Sequence, residues 1–275
     1  MPAPAVPYVL GGTQTEQHRL IAQARGLEEP ARWMLDQINI EPGIRAVDVG
    51  CGPIGIMNLL SERVGADGTV IGVEREPRFF DAAQAELSKR GLRNVQFVNA
   101  DAINTGLGQN SYDFVHERLV LINIPPTSQQ AVLKEMLSLL KPGGTIAIQE
   151  FDFVSFACDP EHPSWNVLFN IWCEAFHAAG GGNLFIGRSL ARLLRSAGAE
   201  NIQIHAHANV PRIGEYQRMH LLSLIGSTPD LMLASGRLNA AELQGHMVAL
   251  AKHLADPTTT LIDRLVVQAW GTKPI

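Results

Sequence analysis

The chain has 275 residues, of which 46% are apolar and 18% charged, and its formal net charge is −5. This length and balance are typical of one large globular enzyme or binding domain with a flanking helical part. Nucleic-acid and anionic-membrane surfaces need clustered positive charge, and a chain with no Lys/Arg run longer than a pair disfavours both.

The cysteines and histidines predict no metal or disulfide framework. Cys51, Cys158 and Cys173 are odd in number and far apart, which favours a reducing, cytoplasmic setting. His205 and His207 share one face of a predicted strand without a third ligand. The proline-interrupted start, MPAPAVPYVLGG, does not resemble a signal peptide, and no apolar run is long enough to span a bilayer.

The first predicted element is a helix from Thr13 to about Asn39, where apolar residues recur three or four positions apart. The sequence EPG that follows ends it. Residues 1–40 are therefore expected to form an N-terminal arm and a helical segment. An arm anchored by prolines and followed by a helix also predicts packing against a neighbouring subunit, as in a homo-oligomer.

Between residues 41 and 151 short apolar strands alternate with amphipathic helices. Strands are predicted at residues 44–50, 69–74, 95–101, 112–119 and 145–151, and helices at residues 54–64, 77–91 and 127–140. Strands joined by helices imply right-handed crossovers and a mostly parallel sheet with helices on both faces. We therefore predict an α/β fold with its ligand-binding core in this segment.

The pattern changes in residues 152–275, which we expect to surround the sheet with helices and to complete its edge. Helices are predicted at residues 163–179, 187–197 and within 213–254, and strands at residues 201–210 and 261–270. The first of these helices is rich in aromatic residues.

A glycine-rich turn, VDVGCGPIG, follows the first predicted strand and places Gly50, Gly52 and Gly55 at the spacing of a dinucleotide-binding turn. Two residues of the turn disfavour a dinucleotide. Pro53 removes a backbone N–H that a pyrophosphate would use, and the charge of Asp48 repels phosphate but attracts a cation. An NAD(P)-dependent oxidoreductase is therefore the weaker alternative, and the chain also lacks a Tyr-x-x-x-Lys pair.

Acidic residues end the next two predicted strands, at the sheet edge where open α/β sheets bind their ligands. Glu74 ends the second strand, where a carboxylate accepts hydrogen bonds from ribose hydroxyls. Asp101 ends the third strand, where it would accept a hydrogen bond from an adenine amino group. Together with Asp48, these acids suit an adenosine that carries positive charge.

These motifs together resemble the class I S-adenosylmethionine-dependent methyltransferases. VDVGCGPIG is similar to the first motif of that family, GVE to the second, NAD to the third, YDFVHERLVL to the fourth, and LKPGGTIAIQE to the turn and strand that follow. The resemblance covers about residues 41–151. It implies a Rossmann-like, seven-stranded, mostly parallel sheet with an antiparallel last strand, and S-adenosyl-L-methionine as cofactor, with S-adenosyl-L-homocysteine as product.

The resemblance also assigns residues to the cofactor site. The methionine moiety would contact Asp48, Gly50, Cys51 and Gly52, and the ribose would contact Glu74. The adenine would contact Asp101 and Ala102, and the rim of the sulfonium pocket would be formed by His116 and Glu117. The N-terminal segment resembles a lid, in which Arg19 or Gln23 would reach the cofactor carboxylate and Tyr8 would face the acceptor.

Methyl transfer to a bound acceptor needs near-attack geometry first, and a general base only when the acceptor must lose a proton. Tyr8, His116 and His162 are the candidate catalytic residues, although a histidine on a buried strand is more often a hydrogen-bonded core residue. The sequence leaves open whether a base is used.

The aromatic residues of the predicted helix 163–179 lie on one face, namely Trp165, Phe169, Trp172 and Phe176. This face predicts core packing or, with Tyr8 and Phe151 or Phe153, one wall of an apolar acceptor pocket that also stabilises positive charge.

The N-terminal segment and this helix are similar to those of bacterial methyltransferases that C-methylate the terpenoid side chain of teleocidin-type indole alkaloids. That resemblance implies a small, largely apolar metabolite as acceptor, methylated at a prenyl alkene with cyclisation in secondary-metabolite biosynthesis. O- or N-methylation of another small metabolite is the alternative. The low positive charge disfavours nucleic acids as acceptors.

Overall fold

A computed structural model describes residues 14–275 of the chain. The strands within this range are β1 (Arg45–Val49), β2 (Thr69–Glu74), β3 (Val95–Asn99), β4 (Tyr112–Arg118), β5 (Leu140–Asp152), β6 (Ala157–Asp159), β7 (Glu200–His207), β8 (Thr260–Ile262) and β9 (Leu265–Thr272). The helices are α1 (Gln14–Gly26), α2 (Glu28–Ile38), α3 (Met57–Val64), α4 (Arg78–Lys89), α5 (Pro126–Leu139), α6 (Pro163–Ala178), α7 (Leu190–Ala197), α8 (His220–Ser227), α9 (Pro229–Ala234) and α10 (Ala240–Ala255).

The main sheet has seven strands in the order β3-β2-β1-β4-β5-β9-β7. Strand β9 runs antiparallel to both β5 and β7, and the remaining pairs are parallel. The predicted Rossmann-like sheet with one antiparallel strand is therefore confirmed. The strand order reverses between β1 and β4, and open α/β sheets bind ligands at this switch point, beyond the carboxyl ends of the strands.

The last predicted strand begins later than expected. Residues 260–262 form β8, which pairs with β6 in a separate two-stranded sheet, and the main sheet resumes with β9 at Leu265. The two residues between these strands, Asp263 and Arg264, are both buried. The periodicity of the sequence predicts a single strand here because neither residue breaks an extended pattern.

The predicted N-terminal helix is two helices, α1 and α2, separated at Leu27. Pro30 is the physical reason, because its ring and missing N–H are tolerated in the first turn of a helix but not in its interior. Helix α1 is tied to the second half of the chain, since Gln217 donates a hydrogen bond of 3.0 Å to the carbonyl of Gly26.

Apolar cores lie on both faces of the sheet. One contains residues of α2, α3 and α4, and the other contains residues of α5 to α10, including the aromatic residues of α6. None of the helices in residues 14–275 is both long and apolar enough to cross a membrane.

Candidate active site

A cavity of about 740 Å³ opens at the carboxyl ends of the parallel strands. We call the side formed by the glycine-rich turn and the ends of β2 and β3 the polar half. It includes Gly50, Cys51, Gly52, Glu74, Asp101 and Ala102. We call the side formed by the end of β5, α6, α8 and the residue before β9 the aromatic half. It includes Phe151, Phe153, Trp172, Phe176, Leu184, His220, Leu224 and Arg264.

The glycine-rich turn between β1 and α3 brings bare backbone to the cavity. Gly50 and Gly55 have φ of +67° and +52°, in the left-handed region that favours glycine. A side chain at Gly50 would also collide with Val120, and one at Gly55 with the carboxylate of Asp48. The turn therefore requires glycine at these positions, for conformation and for space.

Asp48 supports this turn from below and is absent from the walls of the cavity. Its Oδ2 accepts a hydrogen bond of 3.0 Å from the backbone N–H of Ile56, and its Oδ1 lies 2.8 Å from Nδ1 of His116. Both side chains are buried, and burial lowers the pKa of His116, which keeps the imidazole neutral. The structure thus places Asp48 and His116 beneath the turn and not in the cavity wall, while the cofactor contact predicted for Asp48 and the catalytic role predicted for His116 stay predictions.

Glu74 connects the end of β2 to the glycine-rich turn. Its Oε2 accepts a hydrogen bond of 3.0 Å from the N–H of Gly52, and its Oε1 accepts one of 3.0 Å from Glu76. Burial raises the pKa of this carboxyl, while the backbone donors lower it. Asp101 lies beside it, with Oδ1 accepting from the N–H of Ile103 at 3.0 Å. The structure therefore brings these two acids together at one end of the cavity.

Arg19 and Gln23 of α1, which the sequence predicts to belong to a lid, also line the cavity. The guanidinium of Arg19 donates to both oxygens of Glu16 at 2.6 Å and to Gln23 at 2.8 Å, which fixes its orientation in the cavity wall. Tyr8, the predicted residue facing the acceptor, lies outside the described residues 14–275.

Arg118, at the end of β4, is a cavity residue that the sequence analysis missed. Its Nη2 donates a hydrogen bond of 2.7 Å to the carbonyl of Gly55, so it clamps the end of the glycine-rich turn. Desolvation lowers its pKa to about 10, and the guanidinium stays charged at neutral pH.

Two buried carboxyls, Glu117 on β4 and Glu150 on β5, hold a turn that lines the cavity. Glu117 accepts a hydrogen bond of 2.9 Å from the N–H of Val120, and Glu150 accepts one of 3.1 Å from Ile122. Burial raises the pKa of Glu117 to about 8 and that of Glu150 well above its ordinary value, and the negative charge of Glu117 adds to the rise at Glu150. Glu117 was predicted at the pocket rim, yet it lies beneath this turn and is not a wall of the cavity.

The aromatic half is built mainly by β5 and α6. Phe151, Phe153, Trp172 and Phe176 line it, as predicted for one edge of the aromatic helix face, while Trp165 packs in the core. The rings are in contact, with 5.2 Å between the centroids of Trp172 and Phe176 and 6.1 Å between those of Phe153 and Trp172.

His162, a predicted catalytic residue, is not among the residues that line the cavity. Its Nδ1 accepts a hydrogen bond of 3.1 Å from the N–H of Ser164, so it caps the first turn of α6. Its ring also packs 4.7 Å from that of His253. The structure favours a structural role for this residue.

His220 and Arg264 are the titratable residues of the aromatic half, and the sequence analysis missed both. His220 is buried, its Nδ1 lies 3.1 Å from the hydroxyl of Tyr216, and desolvation lowers its pKa well below the ordinary value. The imidazole is therefore neutral. Both residues belong to no local motif, and only the tertiary structure brings them to the cavity.

Comparison with known proteins identifies the family and its curated relatives. A family model described as "Methyltransferase domain" matches residues 40–198, more than half of the chain. A demethylmenaquinone methyltransferase of Listeria monocytogenes serotype 4a (strain HCC23) is 27% identical over 135 residues, 49% of this chain and 54% of that protein. One of Geobacillus stearothermophilus is 33% identical over 116 residues, 41% of this chain and 49% of that protein. The chain spans about half the length of the curated relatives it matches.

Solved structures of similar fold include a putative methyltransferase of Bacillus halodurans C-125, with a TM-score of 0.55, 15% identity, and coverage of 89% of this chain and 99% of that chain. Phosphoethanolamine N-methyltransferase 2 of Haemonchus contortus, in complex with phosphomonomethylethanolamine and S-adenosylhomocysteine, has a TM-score of 0.51 and 19% identity, and the match covers 86% of this chain and 50% of that chain. At these identities the likeness concerns the fold. With the family match and the glycine-rich turn at the switch point of the sheet, the chain belongs to the class I S-adenosylmethionine-dependent methyltransferases.

Proposed function

We propose that the protein transfers the methyl group of S-adenosylmethionine to a small, largely apolar metabolite. One observation carries this proposal: a single cavity joins a polar half, suited to an adenosine with a charged tail, to a half walled by four aromatic side chains. Methyl transfer needs the sulfonium and the acceptor in one water-poor space, which is what a continuous cavity of this composition offers.

The cofactor would lie in the polar half. Glu74 would accept hydrogen bonds from the ribose hydroxyls, and Asp101 and Ala102 would contact the adenine. The methionine moiety would lie along the glycine-rich turn, with Arg19 or Gln23 facing its carboxylate. Asp48 and Glu117 would support the cofactor site indirectly, by holding the backbone of the turns that line it, because both carboxylates accept hydrogen bonds from N–H groups of those turns.

The acceptor would lie in the aromatic half, with the turn that follows Glu117 between it and the adenosine. Aromatic rings of this half that Arg264 does not cover, such as that of Trp172, would stabilise positive charge. This suits methylation of a prenyl alkene, where the new carbon–carbon bond leaves a carbocation that cyclises. A terpenoid side chain on an indole alkaloid remains the predicted acceptor of this type.

Methylation at oxygen or nitrogen is the second candidate, and His220 favours it. A neutral imidazole is able to accept the proton that a hydroxyl or amine loses. Curated relatives are named demethylmenaquinone methyltransferases, so demethylmenaquinone is a second acceptor to test.

The proposal is tested by incubating the protein with S-adenosylmethionine labelled in the methyl group and each acceptor, followed by mass spectrometry and NMR of the product. We expect labelled product with one acceptor class and none with the Glu74→Ala variant. Calorimetry with S-adenosylhomocysteine and NADH gives the decisive control. Tight binding of NADH with no heat from S-adenosylhomocysteine would overturn the proposal.

The predicted homo-oligomer, the cytoplasmic setting and the division of the chain at residues 40 and 151 stay predictions.

A further inference from the structure

Arg264 is a buried charge in the aromatic half of the cavity. Its side chain is 2% exposed and lies against three aromatic rings, with the guanidinium carbon 4.0 Å from the ring centroid of Phe151, 5.2 Å from that of Phe156 and 5.5 Å from that of Phe153. It also lines the cavity. An arginine in such a place is costly unless every N–H has a partner.

One edge of this guanidinium is paired and another is not. Nε donates to Oδ1 of Asp263 at 2.8 Å, and Nη2 lies 3.4 Å from Oδ2 of the same residue. Within residues 14–275, Nη1 has no hydrogen-bond partner. Since the arginine is a wall of the cavity and carries five N–H groups, a donor remains for a molecule bound there.

The same wall has a second unpaired donor. The indole Nε1 of Trp172 is buried without a hydrogen-bond partner among residues 14–275, and this ring and Arg264 both pack against Phe153. Buried donors without partners are rare in folded proteins and call for an explanation. The Trp172 Nε1 atom is fully covered by protein, so the donor that faces the cavity is the free edge of Arg264. A ligand that supplies a lone pair would satisfy this donor, whereas a purely hydrocarbon ligand would leave it unpaired.

Charge balance specifies the ligand further. Asp263 is 3% exposed and neutralises Arg264 within the wall. His220, which faces the same half, is held neutral by its burial and by the nearby positive charges of Arg264 and Arg19. The aromatic half therefore has no net charge to pair with a carboxylate or an amine.

We propose that Arg264 is a specificity-determining residue, which binds a hydrogen-bond-accepting oxygen, of carbonyl type, on a neutral and otherwise apolar acceptor. This contact would fix the orientation of the acceptor among the aromatic rings and so choose which of its atoms faces the methyl group. The inference rests on the proposed function only in assigning the acceptor to the aromatic half.

The test uses two probes of nearly the same shape, 2-acetylnaphthalene and 2-ethylnaphthalene, which differ in one carbonyl oxygen. Their dissociation constants are measured on the protein saturated with S-adenosylhomocysteine. We expect the acetyl probe to bind at least about tenfold more tightly, as for a hydrogen bond to a charged donor. The double variant Asp263→Asn with Arg264→Met, which removes both charges together, should reduce this preference to within about twofold.

Equal affinities of the two probes for the unaltered protein would overturn the proposal, and this comparison needs no variant to fold. Persistence of the preference in the double variant would overturn it as well. Tighter binding of 2-naphthoate than of 2-acetylnaphthalene would contradict the neutrality of the ligand. The affinity for S-adenosylhomocysteine, measured alongside, reports on the cofactor site and separates a failure of this inference from a failure of the proposed function.

Discussion

The two halves of the cavity are assembled in different ways. The polar half is made by short stretches directly after β1, β2 and β3, and its key hydrogen bonds, such as Glu74 to Gly52, join neighbouring strand ends. The aromatic half combines the end of β5 and α6 with His220 and Arg264, which are far away in the sequence. The difference teaches that the polar half is a local property of the sheet edge, whereas the aromatic half depends on long-range packing.

The largest expected effect concerns the stability of the aromatic half. Trp172→Ala should lower the free energy of unfolding by about 3–5 kcal/mol, because a buried ring that packs on Phe153 and Phe176 is lost. Urea titration measures this change, and Trp172→Phe should show a clearly smaller loss. If the polar half is assembled independently of the aromatic half, the folded Trp172→Ala variant should keep its affinity for S-adenosylhomocysteine. A large drop in that affinity would show that the two halves depend on each other.

The next effect falls on the polar half. Glu74→Ala should weaken binding of S-adenosylhomocysteine by roughly a hundredfold or more, because the carboxylate anchors the N–H of Gly52 and, under the proposal, accepts hydrogen bonds from the ribose. Calorimetry measures the affinity. Glu62→Ala, on an exposed side chain of α3, is the matched control and should bind like the unaltered protein. An unchanged affinity in Glu74→Ala would remove this residue from the site.

A third prediction concerns the turn held by Glu117 and Glu150 and the dependence of stability on pH. The pKa of Glu117 is raised from 4.5 to about 8 and that of Glu150 is raised well above its ordinary value, so the folded chain binds more protons than the unfolded chain in this range. The free energy of unfolding should therefore fall as pH rises from 4.5 to about 8. The loss amounts to up to about 1.4 kcal/mol per pH unit for each extra proton bound.

Glu117→Gln replaces this carboxyl with a neutral group of the same shape, and urea titrations across the same pH range should then show a flatter profile. His116 and His220 have lowered pKa values and act in the opposite direction below 6.5, so the variant and the unaltered protein are compared at equal pH. A variant profile as steep as the original would show that the carboxyl pair does not carry the effect.

The smallest effect distinguishes two roles of Asp48, direct contact with the cofactor and support of the glycine-rich turn. Asp48→Asn keeps an oxygen for the N–H of Ile56 and a polar group for His116, so binding of S-adenosylhomocysteine should weaken by less than about threefold. Asp48→Ala, which leaves the turn without its anchor, should bind distinctly more weakly. A loss in Asp48→Asn as large as in Glu74→Ala would mean that the carboxylate contacts the cofactor directly.

The sequence was sufficient for the sheet and for much of the polar half, because both rest on local patterns. The alternation of strands and helices predicts the parallel sheet, and the glycine spacing with Glu74 and Asp101 predicts which strand ends face the ligand. The resemblance adds Ala102, which lines the cavity with them.

The remaining residues depend on three-dimensional packing that no local pattern encodes. His116 and Glu117 lie on a strand within the motif region, but turns cover both side chains. Both are therefore buried and neither lines the cavity. His162 lies next to the aromatic helix α6 in the sequence, which made it a candidate for the pocket, but in the structure its side chain caps the first turn of that helix. Arg264 lies between β8 and β9. The sequence pattern does not separate these two strands, and they are distinct because β8 pairs with β6 instead of joining the main sheet.

The central claim is that one cavity holds cofactor and acceptor side by side, and a single titration tests it. 2-Acetylnaphthalene is titrated by calorimetry into the protein alone and into the protein saturated with S-adenosylhomocysteine. The account predicts binding in both cases, with an affinity in the saturated protein at least equal to that in the free protein. Loss of probe binding on saturation would show that the two ligands compete for one place, and would contradict the account.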